Sequence, residues 1–386
     1  MTLSSTIRCR VLMVNLSLSL LFNACREPDI FIQPEMESTG DTTRTEVIGF
    51  YLLNEGNMGS NKASLDYYDF SSGTYTRNIY QAVNPEVKQS LGDVGNDIKI
   101  YGSRLYAVIN CSNLVEVMDA ATTKHIGTIQ VPNCRYLAFK DGYGYLTSYA
   151  GPVVVDATKA QIGYVAKFDT TTLQIVDTCH VGFQPDELEV VGNQLYVANS
   201  GGYMVPNYEH TVSVIDLENK SRKTIDVVNN LHRLRADRYG QIWVSSRGDY
   251  YDQPSRLYCI DTKTDKVTDS VMVAVSNMWI DGDSLYICAT EFSYITYDTE
   301  VTYAIVNVKT HEIVTRNFIQ DPTVKIDVPY GIAVNPKTKD IYVTDAKNYV
   351  SPGTLWCIGQ NGMAKWSVRT GDIPAHICFR FKTEKI

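Results

Sequence analysis

A short apolar–aromatic–apolar motif recurs seven times along this chain, and that recurrence restricts the fold more than any other feature. The copies are FYLLNEG from Phe50, LYAVINC from Leu105, GYLTSYAG from Gly144, LYVANSGG from Leu195, IWVSSRGD from Ile242, LYICATEF from Leu285 and IYVTDAKN from Ile341. Their aromatic residues (Tyr51, Tyr106, Tyr145, Tyr196, Trp243, Tyr286 and Tyr342) are spaced by 55, 39, 51, 47, 43 and 56 residues. A short strand pattern such as DELEVVGN or NDIKIYG precedes most copies, and two more, such as HTVSVIDL and KTIDV, follow. Four short strands per unit at this period mark the blade of a β-propeller.

The first unit lacks its leading strand, and the end of the chain supplies a match. Pro374–Phe381 (PAHICFRF) aligns with the leading strand that begins at Pro185. The expected fold is therefore all-β: a seven-bladed propeller over 48–386, closed by the C-terminal strand pairing into the first blade. Such closure covers edges that would otherwise invite pairing with other chains.

Ahead of the repeats the character changes. Arg8 and Arg10 precede the apolar run Val11–Phe22, which is short for a membrane span and placed as a secretory signal. Asn23-Ala24-Cys25 follows, a small residue before a cysteine, as at a bacterial lipoprotein cleavage site. Residues 1–24 are thus read as a lipoprotein signal peptide and Cys25 as the lipidated residue, with Phe22 standing where a leucine is usual. An ordinary signal peptide with an incidental cysteine is the alternative. Residues 25–47 are rich in Thr and acids and read as a flexible tether. Of nine cysteines, Cys9 leaves with the signal. Cys111 and Cys134 lie near turns of successive repeats and could bridge, whereas Cys259, Cys288 and Cys357 lie in apolar strands as small buried hydrophobes.

The balance of charge excludes one partner class. Net charge is −8 without a basic cluster, so no nucleic acid is expected. No Cys/His spacing suggests a metal, and no catalytic signature or cofactor motif is present. The chain holds 26 tyrosines, most of them expected as half-buried strand residues.

The motifs LNEGNMGSNKASLDYYD, SLGDVGNDIKIYG and QLYVANSGGYMVPNYEHTVSVIDL resemble those of YncE-like seven-bladed propellers. More narrowly, they are similar to DUF5074-type surface lipoproteins of Bacteroidetes that partner TonB-dependent transporters. The similarity runs from about Gly49 to Phe381. Glu27 and Asp29, just after Cys25, also resemble the surface-export signal of such lipoproteins. The resemblance implies an outer-membrane, lipid-anchored protein facing the cell exterior that captures cobalamin or another corrinoid. A ferric siderophore is the second ligand it implies.

Propeller geometry sends two sets of loops to one face. Those joining second to third strands carry Asn54, Glu55, Asn57 and Asn61; Ser148 and Tyr149; Asn199, Tyr203, Asn207 and Tyr208; Arg247, Asp249, Tyr250 and Tyr251; Glu291, Phe292, Tyr294 and Tyr297; and Lys347, Asn348 and Tyr349. The segments leading into the innermost strands add Asp97, Arg135, Glu187, His232, Arg233, Asn277 and His376 at the channel mouth. Tyrosines and amides in that number suit a large, flat, amide-bearing ligand. The candidate ligand contacts are Asn54, Asn57, Tyr149, Asn199, Tyr203, Tyr208, Arg247, Tyr250, Tyr251, Tyr294 and Tyr349. Asn and Gly in NEGNMG and ANSGG are equally ordinary turn residues. Asp97, Glu187, His232 and His376 could serve a lactonase-like enzyme, but acids at channel mouths also cap strand ends. A protein-interaction scaffold is the third possibility.

Overall fold

The computed structural model describes residues 34–40, 46–87 and 90–382. Seven antiparallel sheets follow the seven repeats. Blade two is built from Gly95–Tyr101, Arg104–Ile109, Leu114–Asp119 and His125–Gln130, and blade three from Cys134–Lys140, Tyr143–Ser148, Ile162–Asp169 and Ile175–Phe183. Blade four comprises Pro185–Val191, Gln194–Asn199, Thr211–Asp216 and Arg222–Asp226; blade five, Leu231–Ala236, Gln241–Ser246, Arg256–Asp261 and Lys266–Val271. Asn277–Asp281, Ser284–Phe292, Thr299–Asn307 and Ile313–Thr315 make blade six, and Pro329–Val334, Ile341–Asp345, Pro352–Ile358 and Ala364–Asp372 make blade seven. Blade one takes Pro374–Phe381 as its first strand, followed by Val47–Asn54, Ser64–Asp69 and Thr74–Thr76. Phe379 pairs with Phe50 and Ile377 with Leu52, so the C-terminal strand closes the ring as the repeat pattern requires. First strands of neighbouring blades touch all the way round.

The repeated aromatic explains what holds the ring. Tyr51, Tyr106, Tyr196, Trp243 and Tyr342 are buried completely or nearly so. Seven apolar clusters lie between neighbouring blades, one for each of the seven blade pairs. Each sheet has two apolar faces and each face is covered by the next blade, which is why the second strands carry few polar residues. The buried hydroxyl of Tyr51 donates to Ala120 O in blade two at 2.9 Å, meeting the requirement that a buried polar tip be paired.

The turns joining third to fourth strands share one device. Asp69, Asp119, Asp169 and Asp216 each accept the backbone N–H groups two and three residues on, as in the 2.8 Å bond from Thr171 N to Asp169 Oδ1. Asn307 does the same in blade six. The Asx turn then ends on a residue in the left-handed region: Gly73, Thr123, Leu173, Lys220 and His311. These turns lie on the face opposite the candidate site.

Two expectations change. The tether reading of 25–47 fails at Met36–Ser38, which pairs antiparallel with Thr74–Thr76 as a fifth, outer strand of blade one. Arg77 anchors it through Glu37 at 3.0 Å and through Glu35. The Cys111–Cys134 bridge is not formed: Cys134 is buried with its thiol against Leu114 O at 3.4 Å, and the seven cysteines among the described residues are free. Burial pushes the Cys134 thiol up to about 12. Residues 1–33, with Cys25, lie outside the described residues.

Candidate functional site: a tyrosine-rimmed mouth over a charged well

The first strands begin at the mouth, and there most carry a bulge. Pairing skips two residues of the first strand between Pro185 and Leu188, between Leu231 and Leu234, and between Pro329 and Ile332. A bulge breaks strict alternation and re-aims side chains. As a result, successive residues point to the channel: Arg135 with Tyr136, and His232 with Arg233. Hydroxyls on the second strands stabilise the bulged backbone, as where Ser245 Oγ accepts from Arg233 N at 3.0 Å and Thr147 Oγ1 donates to Asp186 O at 2.9 Å.

The resulting well encloses about 310 Å³, at the lower limit of small-molecule sites. Its walls include Arg135, Arg233, Arg247, His232, Tyr136, Tyr330, Glu55 and Glu291, and Tyr203 and Tyr250 reach it from the rim. Beneath the arginines lies a shared buried carboxylate. Asp186 is fully buried and faces Arg135 Nε at 3.4 Å and Arg247 Nη1 at 3.3 Å, and it accepts from the Tyr149 hydroxyl at 2.9 Å. The Arg135 guanidinium also sits over the Tyr149 ring, 4.8 Å from its centre. Glu187 likewise serves two cations, Arg233 at 3.2 Å and Arg235 at 2.5 Å, and accepts Leu234 N at 2.7 Å. Burial opposes its ionisation, but Arg235 and Arg233 more than offset this and hold the carboxyl at about 2. Burial and the nearby cations Arg247, Arg233 and Arg135 press His232 well below its ordinary range, so its ring is neutral.

The rim is aromatic. Of the 26 tyrosines, seven are exposed, and six of those (Tyr203, Tyr250, Tyr251, Tyr294, Tyr297 and Tyr349) stand on the loops that join second to third strands. Chance scatter over the surface would not gather them there. Tyr251 stacks on Tyr294 with ring centres 5.3 Å apart, and Phe292 meets Tyr294 edge-on at 4.9 Å. Tyr250, Tyr297 and Tyr349 hold left-handed backbone, which costs about 1 kcal/mol or more each for a residue with a Cβ. Asn57 donates to Tyr349 O and ties the blade-one loop to blade seven.

The sequence-derived site divides accordingly. Tyr203, Tyr250, Tyr251, Tyr294 and Tyr349 are exposed on the rim, and Tyr208 is half-buried beside them. Arg135, Arg233, Arg247 and His232 line the well. Asn54 and Asn199 do not open on the mouth: both are fully buried, and Asn199 bonds Ser213 Oγ at 2.9 Å and Gly182 N at 3.0 Å across strands. Tyr149 is buried beneath Arg135 rather than presented at the surface. Asp97 accepts Ile98 N and Leu137 N, both at 2.9 Å, so it links blade two to blade three. Asn277 joins blade six to Tyr330 O at 3.0 Å, and His376 meets Glu55 at 3.3 Å, whose other oxygen accepts the Tyr330 hydroxyl at 2.9 Å. Asp186, Tyr136, Tyr330 and Arg235 were not singled out from sequence. A bulge at the strand start is the signal that would have added Asp186, Tyr136 and Tyr330, and plain alternation from Arg233 would have added Arg235.

Fold and site define a closed seven-bladed propeller whose mouth presents tyrosines over a charged well. A family model described as "Domain of unknown function (DUF5074)" matches residues 48–353, and the chain belongs to that family. No curated protein matches. Among solved structures, the chain is similar to a 6-phosphogluconolactonase-like protein of Bacteroides fragilis, with TM-score 0.61, 11% identity, and coverage of 88% of this chain and 100% of that one. A quinonprotein alcohol dehydrogenase-like protein of Bacteroides thetaiotaomicron matches with TM-score 0.57, 14% identity, and coverage of 86% and 78%. Hydrazine synthase of Kuenenia stuttgartiensis matches with TM-score 0.59, 15% identity, and coverage of 74% and 89%. At these identities the likeness is one of fold.

Proposed function

We propose that this protein is a surface lipoprotein that captures a corrinoid, cobalamin foremost, and passes it to a TonB-dependent outer-membrane transporter. The observation that carries the reading is the gathering of six exposed tyrosines on one face. Exposed aromatics cost solubility unless a ligand covers them, and rigid rings give contact area at low entropic cost. A corrinoid is far too large for the well and lies across the mouth, its flat ring against the tyrosines and its amides against loop polar groups. The mouth is read as a binding surface and not an active site, because Asp97 and Glu187 spend their carboxylates on backbone N–H groups and arginines.

A ferric siderophore is the second reading, favoured by Arg135, Arg233 and Arg247 on one side of the well, since iron-loaded catecholates are anionic. Titration with cyanocobalamin and with an iron-loaded catecholate siderophore tests both, and silence with both sinks the capture reading. The anchor rests on Cys25: Cys25→Ala is expected to release the protein from membranes, and unchanged fractionation would remove that part of the proposal.

A further inference from the structure

The geometry points to a two-part ligand site: the well receives a phosphate or carboxylate arm, and a neighbouring apolar hollow receives part of the ligand's body. This rests on the capture reading and specifies the ligand as one that carries an anionic arm.

Three observations support it. First, the arginines of the well outnumber their carboxylates. Arg135 and Arg247 share Asp186, and Arg233 shares Glu187 with Arg235, which lies outside the lining, so three arginines of the well face two carboxylates. The two other acids lining the well stand elsewhere, Glu55 on blade one beside Tyr330 and His376, and Glu291 on blade six, where it accepts Ser255 N at 2.7 Å. Asp97 and Lys99 lie along the adjoining first strand of blade two, and Glu189, further along the first strand of blade four, is set against Lys99 and Arg235 rather than the arginines of the well. Positive charge is therefore in excess on the side formed by blades three to five, where guanidinium groups can fork onto an oxyanion.

Second, a buried polar group there has no partner. His232 is 7% exposed, lines the well, and its Nδ1 makes no hydrogen bond. A buried ring nitrogen left unpaired costs free energy. A ligand oxygen accepting from an Nδ1–H tautomer would remove that cost. The Arg135 Nε–H is also without a hydrogen bond, although it lies within ion-pair reach of Asp186.

Third, a hollow of about 590 Å³ adjoins the well over blades two and three. Met58, Val131, Pro132 and Val153 give it an apolar floor, and it shares Arg135 and Tyr203 with the well. Those two side chains form the divide. A ligand body resting in the hollow can reach past Arg135 with a short charged arm. The long blade-four loop bears on the same place, because a Cβ added at Gly202 would lie 3.3 Å from Arg247 Nη1.

The test begins with equilibrium dialysis of radiolabelled inorganic phosphate against the full-length protein, with acetate as competitor. Wild type is expected to bind one phosphate per chain, Arg247→Ala to weaken it about 10- to 100-fold, and Arg247→Lys to retain most of it. His232→Phe is expected to weaken it less, and it replaces Arg247→Ala should that variant not fold. Displacement by acetate at similar concentration assigns a carboxylate arm, and resistance assigns a phosphate. Met58→Ala, in the hollow but outside the well, should leave phosphate binding intact while weakening cyanocobalamin. Absence of saturable phosphate binding, or binding indifferent to both Arg247→Ala and His232→Phe, overturns the anion site. Phosphate bound normally by a protein that takes up neither cyanocobalamin nor iron-loaded siderophore leaves the anion site standing and removes the capture reading.

Discussion

Glu187 at the channel wall makes the stability of the propeller depend on acid in a calculable way. Its carboxyl is held at about 2, against 4.5 for an unperturbed glutamate, because Arg235 and Arg233 outweigh the cost of burial. The folded state therefore releases this proton more readily than the unfolded chain. The stabilisation is complete above pH 4.5 and is lost as pH falls towards 2. A difference of that size corresponds to about 3 kcal/mol. Glu187→Gln removes the charge and leaves Arg233 and Arg235 without their shared anion, so it should cost about 3 kcal/mol at pH 7. At about 2.1 cal/mol/K per residue, a chain of 386 residues unfolds with about 0.8 kcal/mol/K, and the melting temperature should drop by about 4 °C. Urea unfolding of wild type and Glu187→Gln from pH 7 to pH 3 is the assay. The gap between them should stay constant down to about pH 4.5 and then narrow. A gap that is absent at pH 7, or that does not narrow on acidification, would refute the argument.

Other consequences follow from burial and closure. Phe379 is 6% exposed and packs on Trp279, Phe50 and Tyr342 with ring centres 5.8 to 6.0 Å apart. Phe379→Ala should cost about 3 to 5 kcal/mol in denaturant unfolding, and a loss below 1 kcal/mol would mean that the closing strand is not seated. The His232 ring should stay neutral in nitrogen NMR at pH 5.5, where an unperturbed histidine is charged. Its folded value is lowered, so its contribution to stability falls as pH drops below about 6.5, by about 1.4 kcal/mol per unit. A charged ring at pH 5.5 would contradict the described burial.

Most of the fold was legible because a propeller repeats its physics. The aromatic of each second strand fills the space between two blades, so Tyr51, Tyr106 and Tyr342 appear in sequence at nearly the blade period. Closure was legible because Pro374–Phe381 copies a first strand that blade one lacks. The outer strand Met36–Ser38 was not, since an edge strand held by Arg77 ion pairs needs no apolar alternation. Within the site, the exposed tyrosines of the rim stood out as a group. Asn54 and Asn199 read as loop amides, whereas folding buries them as braces against the fourth strand of the preceding blade; a Cβ at Gly182 would fall 2.6 Å from Asn199 Cγ. The wall of the well was the least legible part. Alternation assigns every second residue to the channel, and the bulges bring in Tyr136 and Asp186 as well.

The central claim is that the tyrosine-rimmed mouth binds a corrinoid. The direct measurement is hydrogen–deuterium exchange of the protein with and without saturating cyanocobalamin, with equilibrium titrations of wild type and Tyr250→Ala/Tyr251→Ala alongside. The account expects saturable binding, protection confined to the loops around Met58, Tyr203, Tyr250, Tyr294 and Tyr349, and affinity at least tenfold lower in the double variant. Protection on the opposite face, or binding unchanged by loss of both tyrosines, would contradict it.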